Sequence, residues 1–140
     1  MIVVDTNILA YRCFPGPRTA AVEALIQLDP HWSAPLLWRS EFRNVVAGYL
    51  RAGKLTPPEA ENLLHQAVAM LLGGEHFISD AAVVACLTRS RCTAYDCEFA
   101  ALAESLDVLL VTEDKALLEA FPRRCRSLDA AVQGKRGVAP

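Results

Sequence analysis

The chain begins Met1-Ile2-Val3-Val4-Asp5-Thr6-Asn7-Ile8-Leu9, a stretch in which an apolar run stops at an aspartate. Ile2, Val3 and Val4 are β-branched, which is typical of a short buried strand. In open parallel sheets, ligands bind outside the carboxyl ends of the strands. Asp5 stands where this first strand should end, so its carboxylate is a candidate functional group.

Short apolar runs alternate with helical periodicity along the remainder of the chain, which predicts an α/β domain. We expect a central, mostly parallel sheet of four to five short strands flanked by helices. The strands are predicted at residues 2–5, 31–34, 76–79, 108–111 and, as an edge strand, 125–128.

Local signals predict where several helices begin and where the domain ends. Pro35 is predicted to lie in the first turn of a helix that runs to about residue 52. Residues 56–59 have the pattern of a capping box, and Thr93 is the expected N-cap of a later helix. The domain is expected to span residues 1–130, followed by a flexible C-terminal tail at residues 131–140.

The composition is that of a globular protein: 140 residues, of which 53% are hydrophobic, suffice for one domain with a substantial core. No apolar stretch approaches the roughly 18 residues needed to cross a membrane, and no signal-peptide pattern opens the chain. We therefore expect a cytoplasmic protein. The five cysteines are odd in number and form no C-x-x-C pair, which favours buried, reduced thiols over a zinc site or disulfides.

Basic residues gather in three regions although the formal net charge is −2. A single group of this kind is usually a solvated face. Together the groups permit phosphate contacts without establishing them. They are Arg39, Arg43, Arg51 and Lys54; Arg89 and Arg91; and Arg123, Arg124 and Arg126.

Four acidic residues stand in segments where a purely structural carboxylate is hard to explain. Asp5 ends the first apolar run, and Asp114 follows the run at residues 108–111. Glu41 and Asp96 lie within predicted helices. A buried ionised carboxylate is costly unless it is paired or bound to a metal. Because no matching set of buried bases accompanies the four acids, they predict a pocket for a hard cation, Mg²⁺ or Mn²⁺.

Each of the four acids also has a structural explanation when it is taken alone. Asp5 can form a turn, and Asp114 can be an ordinary N-cap. Asp96 lies in a predicted first helical turn, where the helix dipole favours an anion. Glu41 can pair with a neighbouring arginine, although those arginines project from other faces of the helix. Spacing leaves these explanations open beside the metal pocket.

Four segments carry a combined pattern of apolar, polar and acidic residues. They are Ile2-Val3-Val4-Asp5-Thr6-Asn7-Ile8-Leu9, Ser40-Glu41-Phe42-Arg43-Asn44-Val45, Thr93-Ala94-Tyr95-Asp96-Cys97-Glu98-Phe99 and Leu109-Leu110-Val111-Thr112-Glu113-Asp114-Lys115-Ala116-Leu117. In this order and spacing, from Met1 to about Leu128, the chain resembles the PIN-domain family of small metal-dependent nucleases. That family includes the VapC-type toxins of toxin–antitoxin pairs.

The resemblance implies a metal-dependent endoribonuclease that hydrolyses RNA phosphodiester bonds with bound Mg²⁺ (or Mn²⁺), and a toxin of this kind implies a cognate antitoxin as partner. The catalytic and metal-binding residues that it carries over are Asp5, Glu41, Asp96 and Asp114. The expected supporting residues are Thr6, Asn7 and Thr112. Glu113 is a departure: it either faces solvent or tunes the site.

Other functions and states stay open at this level. A haloacid-dehalogenase-type phosphatase would place a second aspartate where this chain has Asn7, which counts against it. A stand-alone RNA-processing nuclease and a non-catalytic PIN-like binding module are the alternatives to a toxin. A homodimer is expected because Val68, Met70 and Leu71 exceed the apolar residues that one packed helix face requires, although burial in the domain's own core would also explain them.

Overall fold

A computed structural model describes residues 1–136, which form five strands and eight helices. The strands are β1 (Ile2–Val4), β2 (Trp32–Pro35), β3 (Glu75–His76), β4 (Leu110–Val111) and β5 (Cys125–Arg126). The helices are α1 (Thr6–Cys13), α2 (Thr19–Leu28), α3 (Trp38–Arg51), α4 (Pro57–Met70), α5 (Asp80–Leu87), α6 (Ala94–Leu106), α7 (Lys115–Ala120) and α8 (Leu128–Arg136). The sheet order is β3-β2-β1-β4-β5 and all pairings are parallel, so the predicted α/β fold is confirmed.

Strand β1 lies at the centre of the sheet, and all three of its side chains are buried. Val3 pairs with Ser33 of β2 on one side and with Leu110 of β4 on the other. A continuous β-branched run suits this position, because a central parallel strand is covered on both faces. The amide of Asp5 donates to the carbonyl of Val111 at 3.0 Å, so β1 and β4 end side by side.

The helices that follow the strands begin at one edge of the sheet. Helices α1, α3 and α7 start within a few residues of the carboxyl ends of β1, β2 and β4. Helix α6 leads into β4 and contacts β1, β2 and β4 through its buried side chains, which include Phe99 and Leu102. A helix that leads into a parallel strand runs against the strand direction, so α6 also begins at the carboxyl edge.

Pro35 does not begin a helix, as predicted, but ends β2. The amides that bond β2 to β3 are those of Ala34, which donates to Gly74, and of Leu36, which donates to His76. Pro35 therefore occupies a ladder position that needs no donor toward β3, so its missing N–H is tolerated. Helix α3 begins three residues later than that prediction allowed, at Trp38.

The C-terminal boundary also differs from the expectation of a flexible tail at residues 131–140. Helix α8 continues to Arg136, contacts α2, and buries Leu128, Ala131 and Val132 in the core. These residues follow the i, i+3, i+4 spacing of one helix face. The domain therefore extends past residue 130, and residues 137–140 lie outside the described part of the chain.

All five cysteines are free thiols; four are buried and Cys13 is half-buried. The burial of four of them agrees with the prediction. Within residues 1–136, none of the helices has the length and apolar character that a membrane span requires.

Candidate active site

Asp5 is a buried carboxylate whose two oxygens are both held by neutral donors. It is the N-cap of α1, and its Oδ1 accepts the amide N–H of Thr6 at 2.7 Å. Its Oδ2 accepts the hydroxyl of Thr112 at 2.6 Å. The side chain is fixed in place, yet none of these donors carries a compensating charge.

Thr112 is fully buried and joins Asp5 to Asp114. While its hydroxyl donates to Asp5, its oxygen accepts the amide N–H of Asp114 at 3.0 Å. Asp114 in turn caps α7, with its Oδ1 accepting the amide N–H of Leu117 at 2.9 Å. The N-cap explanation for Asp114 is thus correct as far as it goes, and one oxygen of this carboxylate stays outside that bond.

Thr6 connects Asp5 to Glu41. Its amide is bonded to Asp5, and its hydroxyl donates to Oε1 of Glu41 at 2.9 Å. Glu41 lies in the first turn of α3, whose packing against α1 brings the two residues together. Among the described side chains, Glu41 forms no ion pair with an arginine, so the pairing considered for it from sequence is absent.

Asp96 lies in the first turn of α6, where its amide donates to the hydroxyl of Thr93 at 3.1 Å. Thr93 is the N-cap of α6, as predicted. No hydrogen bond among the described residues joins Asp96 to the other three acids, but its charge adds to the rise in the pKa of both Asp5 and Glu41. Asp96 is therefore near the others without contacting them. We refer to Asp5, Glu41, Asp96 and Asp114 together as the acidic cluster.

Burial and mutual repulsion both disfavour negative charge in the acidic cluster. Burial raises the pKa of Asp5 above its ordinary value, against hydrogen bonds from Thr112 and Thr6, and the charges of Asp96 and Asp114 add to the rise. Burial is also the main cause of the raised pKa of Glu41 and of Asp96. None of the ion pairs among the described residues includes a member of the cluster.

Glu98 is an acidic residue near the cluster that the sequence did not single out. Burial raises its pKa, and its charge contributes to the raised pKa of Glu41. Its position two residues after Asp96, in the same helix, was the available signal. Helical periodicity alone does not place residues i and i+2 on one face, which is why that signal was weak.

Glu113, whose role was open, bonds to residues outside the cluster. Its Oε1 accepts the amide N–H of Leu128 at 2.8 Å and pairs with Arg18 at 3.1 Å. Arg18 also pairs with Asp129 at 3.1 Å. Glu113 thus holds the start of α8 against the domain, which accounts for it as a structural residue.

The chemistry of the acidic cluster suits a hard divalent cation, although its oxygens do not converge on one coordination site. Within residues 1–136, no group of three or more His, Cys, Asp or Glu side chains is arranged so that it could hold a metal ion. The donors are nonetheless all oxygen, which matches the preference of Mg²⁺ and Mn²⁺. In addition, the buried Oδ1 of Asn7 has no hydrogen-bond partner among the described atoms. The donor chemistry of the cluster therefore fits such an ion, whereas the present arrangement of its side chains does not yet form a binding site.

Comparison with known proteins gives matches over most of the chain. A family model described as PIN domain matches residues 2–122. The crystal structure of FitAcB from Neisseria gonorrhoeae superimposes with a TM-score of 0.68 at 19% identity, covering 91% of this chain and 98% of that one. The crystal structure of PAE2754 from Pyrobaculum aerophilum superimposes with a TM-score of 0.73 at 20% identity, covering 97% of this chain and 89% of that one. At such identities the solved structures show a shared fold. No curated protein sequence matches the chain.

Proposed function

The chain belongs to the PIN-domain family, and from that premise we propose that it is an endoribonuclease dependent on Mg²⁺ or Mn²⁺. Members of the family are generally metal-dependent nucleases. The observation that carries the proposal is the hydrogen-bonded linkage of Asp5, Glu41 and Asp114 through Thr6 and Thr112. Asp96 is close enough for its charge to raise the pKa of Asp5 and of Glu41. Carboxylates that are fixed in place but lack a cationic partner are expected where an ion binds.

The proposed division of labour follows from these contacts. A bound Mg²⁺ or Mn²⁺ would supply an activated water and offset the charge that develops on the scissile phosphate. Asp5, Glu41, Asp96 and Asp114 are the candidate ligands, directly or through water. Thr6 and Thr112 are positioning residues, because each fixes the orientation of a carboxylate by a hydrogen bond. Asn7 offers a further oxygen.

The raised pKa values give the site an acid limit. Asp5, Glu41 and Asp96 take up protons more readily than ordinary carboxyl groups, and a protonated carboxyl group is a poor ligand. Activity is therefore expected to fall as the pH is lowered from neutral. A metal ion competes with these protons, so a higher metal concentration should shift the fall to lower pH.

The test is cleavage of a single-stranded RNA of mixed sequence by the purified chain. Cleavage should require Mg²⁺ or Mn²⁺, stop in chelator, and be lost in Asp96→Asn. Glu61→Gln is the matched control, because Glu61 is exposed on α4, carries the same charge, and forms no ion pair or side-chain hydrogen bond in the described part of the chain. A folded wild-type chain that cuts no RNA would favour the non-catalytic binding module, and full activity in Asp96→Asn would exclude the assigned site.

We further propose that the nuclease acts in the cytoplasm as the toxin of a toxin–antitoxin pair. A cleft of about 280 Å³ beside Glu98 is lined by the exposed apolar side chains of Leu36 and Phe77. An antitoxin segment with apolar side chains and one basic side chain would match it. Expression of the wild-type chain should arrest growth, whereas Asp96→Asn should not; a harmless wild type that cuts RNA would favour a stand-alone processing nuclease.

The homodimer stays a prediction. The structure gives it less support than the sequence did. Leu71 is fully buried, and Val68 and Met70 pack against the core of the same chain. Burial in the domain's own core therefore accounts for much of the apolar surface from which the dimer was expected. Light scattering of the purified chain measures the state directly.

A further inference from the structure

Two adjacent clefts are rich in arginine. The first has a volume of about 400 Å³ and is lined by Arg89, Arg123 and Arg124 together with Glu104. The second has a volume of about 310 Å³ and is lined by Arg89 and Arg91 together with Glu119. Because both clefts share Arg89 and Ala120, they form one trough with four arginines and two glutamates. We call it the arginine trough. Its positive balance contrasts with the formal net charge of −2 for the whole chain.

Two of the four arginines are fixed by contacts within the domain. Arg89 pairs with both carboxylate oxygens of Glu104, at 3.1 and 2.8 Å, and lies 5.7 Å from the ring centre of Phe121. Arg124 donates to the carbonyl of Val108 at 2.9 Å and to Asp107 at 3.1 Å. These contacts shape the walls of the trough.

Arg91 and Arg123, in contrast, are exposed and have no ion pair or hydrogen bond from their guanidinium groups in the described part of the chain. A guanidinium group is a planar donor that matches phosphate geometry. Two such groups without internal partners, held along one trough, are available to a polyanion.

The second cleft is the end of the trough that lies next to the acidic cluster. Cys92 and Ala116 line this cleft; Cys92 lies four residues before Asp96, and Ala116 lies two residues after Asp114. Burial raises the pKa of the Cys92 thiol, and the charges of Asp96 and Asp114 are among those that raise it further, in keeping with this proximity. A chain molecule lying in the trough would therefore reach the cluster.

We infer that the arginine trough binds the sugar–phosphate backbone of single-stranded RNA and leads it to the acidic cluster. The inference rests on the proposed nuclease function. An acidic cluster repels RNA, so a neighbouring positive surface is needed to hold the backbone. Arg91 and Arg123 make the phosphate contacts, whereas Glu104 restrains Arg89 and weakens its contribution.

The test measures binding separately from cleavage. A labelled single-stranded RNA of mixed sequence is titrated with the full chain carrying Asp5→Asn in chelator, and fluorescence anisotropy is recorded at several salt concentrations. Adding Arg91→Gln and Arg123→Gln should lower the affinity about tenfold at moderate salt and reduce the salt slope by about 1.4, since each phosphate contact on a single strand contributes about 0.7. Adding Glu104→Gln instead should tighten binding, an effect that misfolding cannot produce.

The matched control is Arg51→Gln with Lys54→Gln, which removes the same charge from the exposed end of α3. The control should bind RNA nearly as well as the parent. An equal loss in the control, no loss in the trough variant, or no binding by the parent would overturn the inference. If wild type cuts RNA and the trough variant binds and cuts equally well, the inference fails while the nuclease stands. If RNA binds through the trough but wild type cuts none, the inference stands while the nuclease proposal fails.

Discussion

Two acidic regions of this domain hold their carboxylates in opposite ways. Glu75 accepts from Nε and Nη2 of Arg39 at 2.6 and 2.7 Å and from Trp38 at 2.7 Å, and the bonds from Arg39 hold its pKa below the ordinary value. Asp5 accepts from Thr6 and Thr112 alone, and burial raises its pKa. Ionised Glu75 therefore stabilises the fold, whereas the ionised form of Asp5 is disfavoured.

The contrast extends beyond these two residues. Glu104 and Glu113, like Glu75, pair with arginines. The chain therefore supplies a cationic partner to acids that hold elements together, and none of its described side chains forms an ion pair with the acidic cluster. We take this difference as the sign that a partner from outside the chain neutralises the cluster.

The largest effect that would test this contrast is expected from Asp5→Asn, which preserves the shape of the side chain and removes its charge. Cleavage of RNA in Mg²⁺ or Mn²⁺ should fall by at least ~100-fold, because the most buried of the proposed ligands is lost. The melting temperature without divalent cation should equal or exceed that of wild type, because a buried charge disappears. Full metal-dependent activity in this variant would contradict the assignment.

A smaller effect, about 10- to 100-fold in activity, is expected from Thr112→Val. The substitution removes the hydroxyl that orients Asp5 and accepts from the amide of Asp114. Because that hydroxyl lowers the pKa of Asp5, its loss should also move the acid limb of the pH–activity profile to higher pH. Thr112→Ser keeps the hydroxyl and should restore both readings. A loss of activity with an unmoved pH profile would mean that Thr112 acts on the fold alone.

Glu75→Gln is expected to give the opposite result to Asp5→Asn. The substitution weakens the bonds to Arg39 and Trp38, so the melting temperature should fall by a few degrees, while RNA cleavage should stay within about twofold of wild type. The pair is measured by thermal unfolding and by cleavage under the same conditions. If Glu75→Gln and Asp5→Asn changed melting temperature and RNA cleavage in the same direction, the two regions would not differ as described.

The smallest expected effect is the pH dependence of stability without divalent cation. Because the pKa of Asp5 is raised in the folded state, the folded chain binds more protons than the unfolded chain above about pH 4. The stability that this group contributes is therefore present at low pH and is lost as the pH rises through its folded pKa. The melting temperature of Asp5→Asn relative to wild type should increase over that range. A constant difference would mean that Asp5 is not perturbed.

Much of the fold followed from local signals that act over a few residues. The β-branched run at residues 2–4, the cap at Thr93 and the apolar run before Asp114 each predicted an element that the structure contains. Helix α8 was missed because a glycine and basic residues after Val132 resembled a tail, and its burial depends on contacts with α2. Pro35 was misplaced because its acceptability in a strand depends on which neighbour its N–H would face.

In the candidate site, too, local signals predicted some features, whereas others depend on contacts between distant parts of the chain. A strand end predicted Asp5, but its bond to Thr112 joins residues 107 positions apart and follows from the pairing of β1 with β4. The roles of Glu98 and Glu113 depend on neighbours that are distant in the chain, as do the contacts of Arg89 in the arginine trough. Spacing along the chain does not report such contacts.

Binding of Mn²⁺ to the metal-free chain at neutral pH tests the central claim most directly, with titration calorimetry and the melting temperature as readouts that need no RNA. Wild type and Glu61→Gln should bind the ion and gain thermal stability in a saturable way, whereas Asp5→Asn should lose most of both responses. Equal binding and equal stabilisation in Asp5→Asn, or no binding in wild type, would contradict the claim that a divalent cation balances these carboxylates.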